Sequence, residues 1–161
     1  MNNGEFYLAD AIEVIEEILN GGGEFRMYPK GTSMLPLIVQ GKDSVVLRKR
    51  TDRPEQPAKK HDIAFYRRSN GQFVLHRVMK RCKDGTYVMC GDNQVDLETG
   101  IRPEQIIGYT HQIYKEEKLL SLSSFRYKIY CFFWTCMPYR RGIRFLKRCL
   151  SFIKRKLLGN K

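Results

Sequence analysis

Three short stretches carry side chains with reactive chemistry. The first is Gly31-Thr32-Ser33-Met34-Leu35-Pro36, a serine between a glycine and a proline. Gly31 allows a sharp or left-handed turn, and Pro36 restricts the chain just beyond it. Such a turn can lift a hydroxyl out of the packing and leave backbone N–H groups for a developing oxyanion, as a nucleophilic serine requires. The same residues also make an ordinary turn. The second stretch is Phe73 to Arg81, which reads as a strand. There His76 shares a face with Val74 and Val78, opposite Phe73, Leu75 and Met79, and lies among apolar neighbours whichever face is inward. An imidazole so placed is either a hydrogen-bonded core group or a general base. The third is Gly91-Asp92-Asn93-Gln94-Val95-Asp96. The Asp92 carboxylate can accept N–H bonds within its own loop, or orient an imidazole and stabilise its charged form. His61 and His111 lie near strand ends without comparable flanks and read as ordinary.

These stretches need a frame, and the pattern predicts a mainly β, α+β fold. Leu8, Ala11, Ile12, Ile15 and Leu19 recur at helical spacing, with Ile18 widening the stripe, and Gly21-Gly22-Gly23 ends the helix. Phe25 to Tyr28 is a short β-prone run, and Asp43 to Leu47 is a strand. Residues 48–60 read as an exposed loop. His61 to Arg68 and Phe73 to Arg81 form a hairpin about Ser69-Asn70-Gly71, and a turn at Lys83-Asp84-Gly85 leads to a strand through Tyr87, Val88 and Met89. Short strands punctuated by glycine turns make an antiparallel core.

Glycine-x-serine-methionine-x-proline, then His76-Arg77-Val78, then Gly91-Asp92-Asn93 with Asp96 nearby, resembles in order and spacing the signal peptidase I family. The resemblance spans roughly residues 24–110 and includes Ile106-Ile107-Gly108, similar to the strand that closes that family's catalytic domain. Bacterial members use a lysine where His76 stands. Histidine there is the pattern of the endoplasmic-reticulum and archaeal-type enzymes. The resemblance implies a signal-peptidase-like antiparallel β core and a serine endopeptidase acting by acyl-enzyme chemistry on a leader or signal-type peptide of a precursor. Ser33 would be the nucleophile, His76 the base, and Asp92 or Asp96 the supporting acid. The Ser33 N–H would be one oxyanion donor, with the Thr32 hydroxyl or another N–H as the second. Leu37 replaces the family's threonine, and the acidic amphipathic helix stands in place of a membrane anchor. Two other readings share the fold: a non-catalytic membrane-associated or peptide-binding module, and a self-cleaving repressor-type peptidase, whose lysine base and DNA-binding helices have no counterpart.

Composition bounds the remainder. The 161 residues suit one ordinary core, and 42% hydrophobic content suits a globular chain. Five cysteines without a CxxC pair argue against a disulfide framework or zinc knuckle and toward a reducing, cytoplasmic compartment; no cofactor or metal motif is present. Residues 1–114 carry 16 Lys and Arg against 15 Asp and Glu, whereas residues 115–161 carry 13 against 2. A near-neutral catalytic domain over 1–114 is therefore expected to precede a basic helical extension over 115–161. The run from Ile129 to Met137, with Tyr130, Phe132, Phe133 and Trp134, is too short to cross a bilayer, and no signal peptide or membrane span precedes Ser33. Beyond Pro138, apolar Ile143, Leu146, Leu150, Ile153 and Leu157 alternate with basic Arg144, Lys147, Arg148, Lys154 and Arg155. Such a helix suits peripheral association with an anionic membrane through residues 129–158; core packing or a protein partner is the alternative, and nucleic acid fits an apolar stripe poorly.

Overall fold

The computed structural model describes residues 8–49 and 57–158, so most of the expected loop at 48–60 lies outside the described residues. Two compact units divide at Leu122 and Ser123. The first is α+β and dominated by antiparallel sheet. Helix α1 (Leu8–Asn20) precedes strands β1 (Glu24–Met27), β2 (Ser44–Arg48), β3 (Ile63–Arg67), β4 (Phe73–Arg81), β5 (Tyr87–Cys90), β6 (Glu98–Ile101), β7 (Ile106–Lys115) and β8 (Lys118–Leu120). The spatial order is β1-β2-β7-β3-β4-β5-β6, with β8 pairing β7. The sheet thus continues past the expected boundary at residue 114, because β8 turns back along the end of β7.

Local chemistry accounts for most of these elements. In α1, Ile12, Ile15 and Leu19 are buried, each worth about 2 kcal/mol in removed apolar surface. Ile18 and Val14, by contrast, are exposed, so the buried stripe is narrower than expected. Leu19 rests on β7 where Gly108 leaves room: a β-carbon there would lie 3.0 Å from Leu19 Cδ1. The β3–β4 hairpin closes through Arg68 N–H to Gln72 O at 2.8 Å, with Gly71 at φ +86° and Asn70 Oδ1 accepting from Gln72 N–H. Gly71 favours this turn because it takes the left-handed conformation without a β-carbon in the way, and its N–H bonds back to Arg68 O at 2.9 Å. The buried face of the sheet is built from Ala64 and Tyr66 on β3, Val78 on β4, Met89 on β5, and Ile101 and Ile106.

Two features connect the sheet to the serine turn. Strand β7 lies between β2 and β3, so among the described residues it is the strand that joins the β1–β2 pair to the β3–β6 group. Between β1 and β2, the chain after Pro36 is fastened by the buried Asp43. Its carboxylate accepts from Val39 N–H at 2.7 Å, from Glu116 N–H at 3.2 Å and from Lys115 Nζ, which also reaches the Leu37 carbonyl at 2.9 Å. Register shifts at Val46/Leu47, Phe65/Tyr66 and Val78/Lys80 mark irregularities of the kind that bend and twist a sheet.

The second unit holds α2 (Phe125–Thr135) and α3 (Met137–Leu158). Ser124 caps α2, its hydroxyl accepting from Tyr127 N–H at 3.2 Å. Pro138 lies in the first turn of α3, where a missing N–H costs nothing. The buried Arg140 donates to the Trp134 carbonyl at the end of α2 and closes the corner. Among the described residues no helix is long and apolar enough to cross a membrane.

Candidate functional site

The turn carrying Ser33 is tight: Leu35 N–H bonds to Thr32 O at 3.2 Å, Ile38 N–H to Met34 O at 3.0 Å, and Gly31 is left-handed at φ +92°. Ser33 itself is half-buried. Gly31 N–H is taken by the Gln40 side chain at 2.6 Å, whereas the Ser33 N–H takes part in no hydrogen bond among the described residues.

Strand β4 brings the imidazole. His76 is 1% exposed, paired across the sheet with Ala64 and flanked by Tyr66 on the same face of β3. Its Nδ1 lies 2.9 Å from Glu98 Oε1 on β6 and 3.3 Å from the Tyr66 hydroxyl. Arg68 grips Glu98 from the other side, Nε to Oε2 at 2.7 Å and Nη2 to Oε1 at 2.5 Å. Burial opposes the charge on Glu98, but Arg68, His76 and Tyr66 outweigh it and hold the carboxyl below its ordinary pKa. Burial also pushes the Tyr66 phenol well up, helped by Glu98, so that it stays protonated and able to donate. Burial pushes His76 below its ordinary value against the pull of Glu98, leaving a neutral ring near pH 7. An ionised carboxylate only accepts hydrogen bonds, so the single ring proton belongs on Nδ1 and the lone pair on Nε2.

That Nε2 faces the loop after β5. A β-carbon on Gly91 would lie 3.0 Å from His76 Nε2 and 2.7 Å from the Ser33 carbonyl oxygen, so those two atoms are separated by no more than the sum of these distances. Asn93 N–H donates to the same Ser33 carbonyl at 2.7 Å. Ser33 and His76 line one cleft of about 210 Å³, walled by Met34, Ile38, Phe73, Val74 and Leu75 and edged by Lys30, Arg68 and Gln94. Ser33 Oγ and His76 share no hydrogen bond in this arrangement.

The two aspartates lie elsewhere. Asp92 forms a fully buried fork with Arg77, Nε to Oδ1 at 2.8 Å and Nη2 to Oδ2 at 2.7 Å, and Arg77 also donates to the His61 carbonyl at 2.9 Å. The reason is strand alternation: His76 and Arg77 point to opposite faces, and Cys90, two residues before Asp92, is registered with Arg77. Asp96 is exposed, and its backbone carbonyl accepts from Cys90 Sγ at 3.4 Å. The carboxylate that meets the imidazole is therefore Glu98, not Asp92 or Asp96. Alternation around Glu98 was the signal available, but Thr99-Gly100 masks the strand. His111 is exposed, 3.9 Å from Glu24. None of the five cysteines is in a disulfide.

Gly91 makes the site's tolerances measurable. Because its neighbours include backbone, Gly91→Ala is expected to cost about 1–3 kcal/mol in urea unfolding and to drive the loop from the Ser33 turn. A loss below the error of the measurement would mean that the two turns are not in register.

Compared with family models, with curated proteins and with solved structures, the chain finds no match.

Proposed function

We propose that the chain is a serine endopeptidase, similar in its motif order to signal peptidases, that cleaves a peptide bond in a precursor by acyl-enzyme chemistry. Ser33 attacks the carbonyl. His76 Nε2 takes the hydroxyl proton and returns it to the leaving amine, Glu98 holds Nδ1–H, and the Ser33 N–H faces the oxyanion. The observation that carries this reading is that Ser33 and His76 line one cleft, with Gly91 packed close to both and a carboxylate behind the ring. The apolar walls supply a place for substrate side chains. Asp92 acts through Arg77, fixing the Gly91 loop as a positioning residue.

A fluorophosphonate probe tests the nucleophile without a known substrate. Labelling mapped by mass spectrometry to Ser33, and lost in His76→Ala with the fold retained, is the expected outcome. Absence of label on Ser33 over hours at neutral pH would sink the assignment. It would favour a second reading, peptide binding without turnover, which draws on the lack of a hydrogen bond between Ser33 Oγ and His76. Hydrogen bonds to a nucleophile commonly tighten only when substrate arrives, so the first reading is preferred.

A further inference from the structure

The second unit presents a surface that the proposed chemistry does not use. Residues 123–161 contain 11 Lys and Arg and no Asp or Glu. On α2, Phe125 and Phe132 are 77% and 69% exposed, and on α3 Phe145, Leu146, Leu150 and Phe152 are all more than 60% exposed. Isolated apolar side chains on a surface are ordinary, but Leu146 and Leu150, one turn apart on α3, and Phe125 and Phe132, two turns apart on α2, form exposed apolar stripes of the kind that something covers. The corner between the helices is held from within by buried Cys131, Thr135 and Arg140, so this surface does not come from loose packing.

Aromatic geometry narrows the occupant. Tyr127 stacks on Tyr130 at 6.3 Å, Tyr130 on Trp134 at 5.1 Å, and Trp134 meets Tyr139 edge-on at 6.1 Å. Phe133 packs on Tyr139 at 5.6 Å and Phe132 on Phe133 at 5.5 Å, making one continuous aromatic series. Tyrosine and tryptophan pair an apolar ring with a polar tip, which suits the headgroup boundary of a bilayer. Nucleic acid would meet the cations but leave the phenylalanines and leucines in water. A protein partner would need an apolar groove with an unbroken acidic rim. A lipid surface carrying negative headgroups offers both at once, and helices too short or too charged to cross can lie in its plane.

We propose that residues 123–158 are an interfacial anchor, lying in the surface of an anionic bilayer with Leu146 and Leu150 of α3 in the acyl boundary and Arg141, Arg148 and Lys156, on the opposite side of that helix, toward the headgroups. This holds independently of any peptidase activity.

The chain's single tryptophan, Trp134, lies within the anchor and reports on it directly. The full chain is mixed with vesicles of phosphatidylcholine alone, or of phosphatidylcholine with a minor share of phosphatidylserine, each with and without brominated acyl chains. Expected are a blue shift and bromine quenching of Trp134 with the anionic vesicles, flotation with them, and release by salt. Arg141→Gln with Arg148→Gln should weaken partition to anionic vesicles by roughly tenfold or more. Leu146→Ser with Leu150→Ser should remove quenching while circular dichroism keeps its helical signal. Emission unchanged by either vesicle overturns the proposal. So does equal uptake by neutral vesicles, or retention on duplex DNA by a chain that does not float.

Discussion

If Ser33 and His76 cleave a peptide bond as proposed, Glu98→Gln is expected to lower kcat by roughly two to four orders of magnitude while the chain stays folded. The amide is close to isosteric, but it can turn its NH₂ group to the ring and leave the proton on the wrong nitrogen. The pH profile separates this from general damage. Because burial lowers the His76 pKa, the acid limb of the wild-type rate falls below pH 6.5, the ordinary histidine value. Glu98 favours the charged ring, so its removal lowers that pKa further and moves the limb to still lower pH. Ring-proton NMR reads the same shift without a substrate, and with three histidines in the chain the signals can be told apart. A variant with kcat within threefold of the wild type, or an acid limb that stays where it was, would remove Glu98 from the mechanism.

Asp92→Ala should destabilise the first unit by about 3–5 kcal/mol, read from the urea midpoint, because it leaves the Arg77 guanidinium buried without its counter-charge. That is a large share of a typical domain's stability of about 5–15 kcal/mol. Removing both charges, as in Arg77→Met with Asp92→Leu, should recover much of the loss, since two apolar side chains can fill the site. The same double variant should still cleave poorly, because the fork that sets the Gly91 loop is gone. A midpoint change worth less than about 1 kcal/mol in Asp92→Ala would mean the pair is solvated and carries little.

Local signals reached some parts of this molecule and not others. Strands β3, β4 and β5 and their turns were legible because Asn70-Gly71 and Asp84-Gly85 dictate backbone dihedrals within a few residues. The proximity of the Ser33 turn to the Gly91 loop was legible only through the ordered motifs. Two things depended on pairing between distant segments. Glu98 lies in Asp-Leu-Glu-Thr-Gly-Ile, a run that looks like a turn until β5 supplies a partner and makes it a strand. Asp92 follows the register of Cys90 with Arg77, which no local pattern fixes. At the other end, Lys118–Leu120 is too short to announce itself as part of the sheet.

The position of β7 bears on how the protein is made. Ser33 belongs to the segment between β1 and β2, His76 and Glu98 to β4 and β6, and among the described residues the strand that pairs with both groups spans residues 106–115. A nascent chain emerging from the ribosome holds Ser33 and His76 well before it holds the strand that draws their two groups together, and Glu98 only eight residues ahead of it. On this assignment the hydroxyl and its base stay apart through most of translation, and a product terminated before Ile106 is inert.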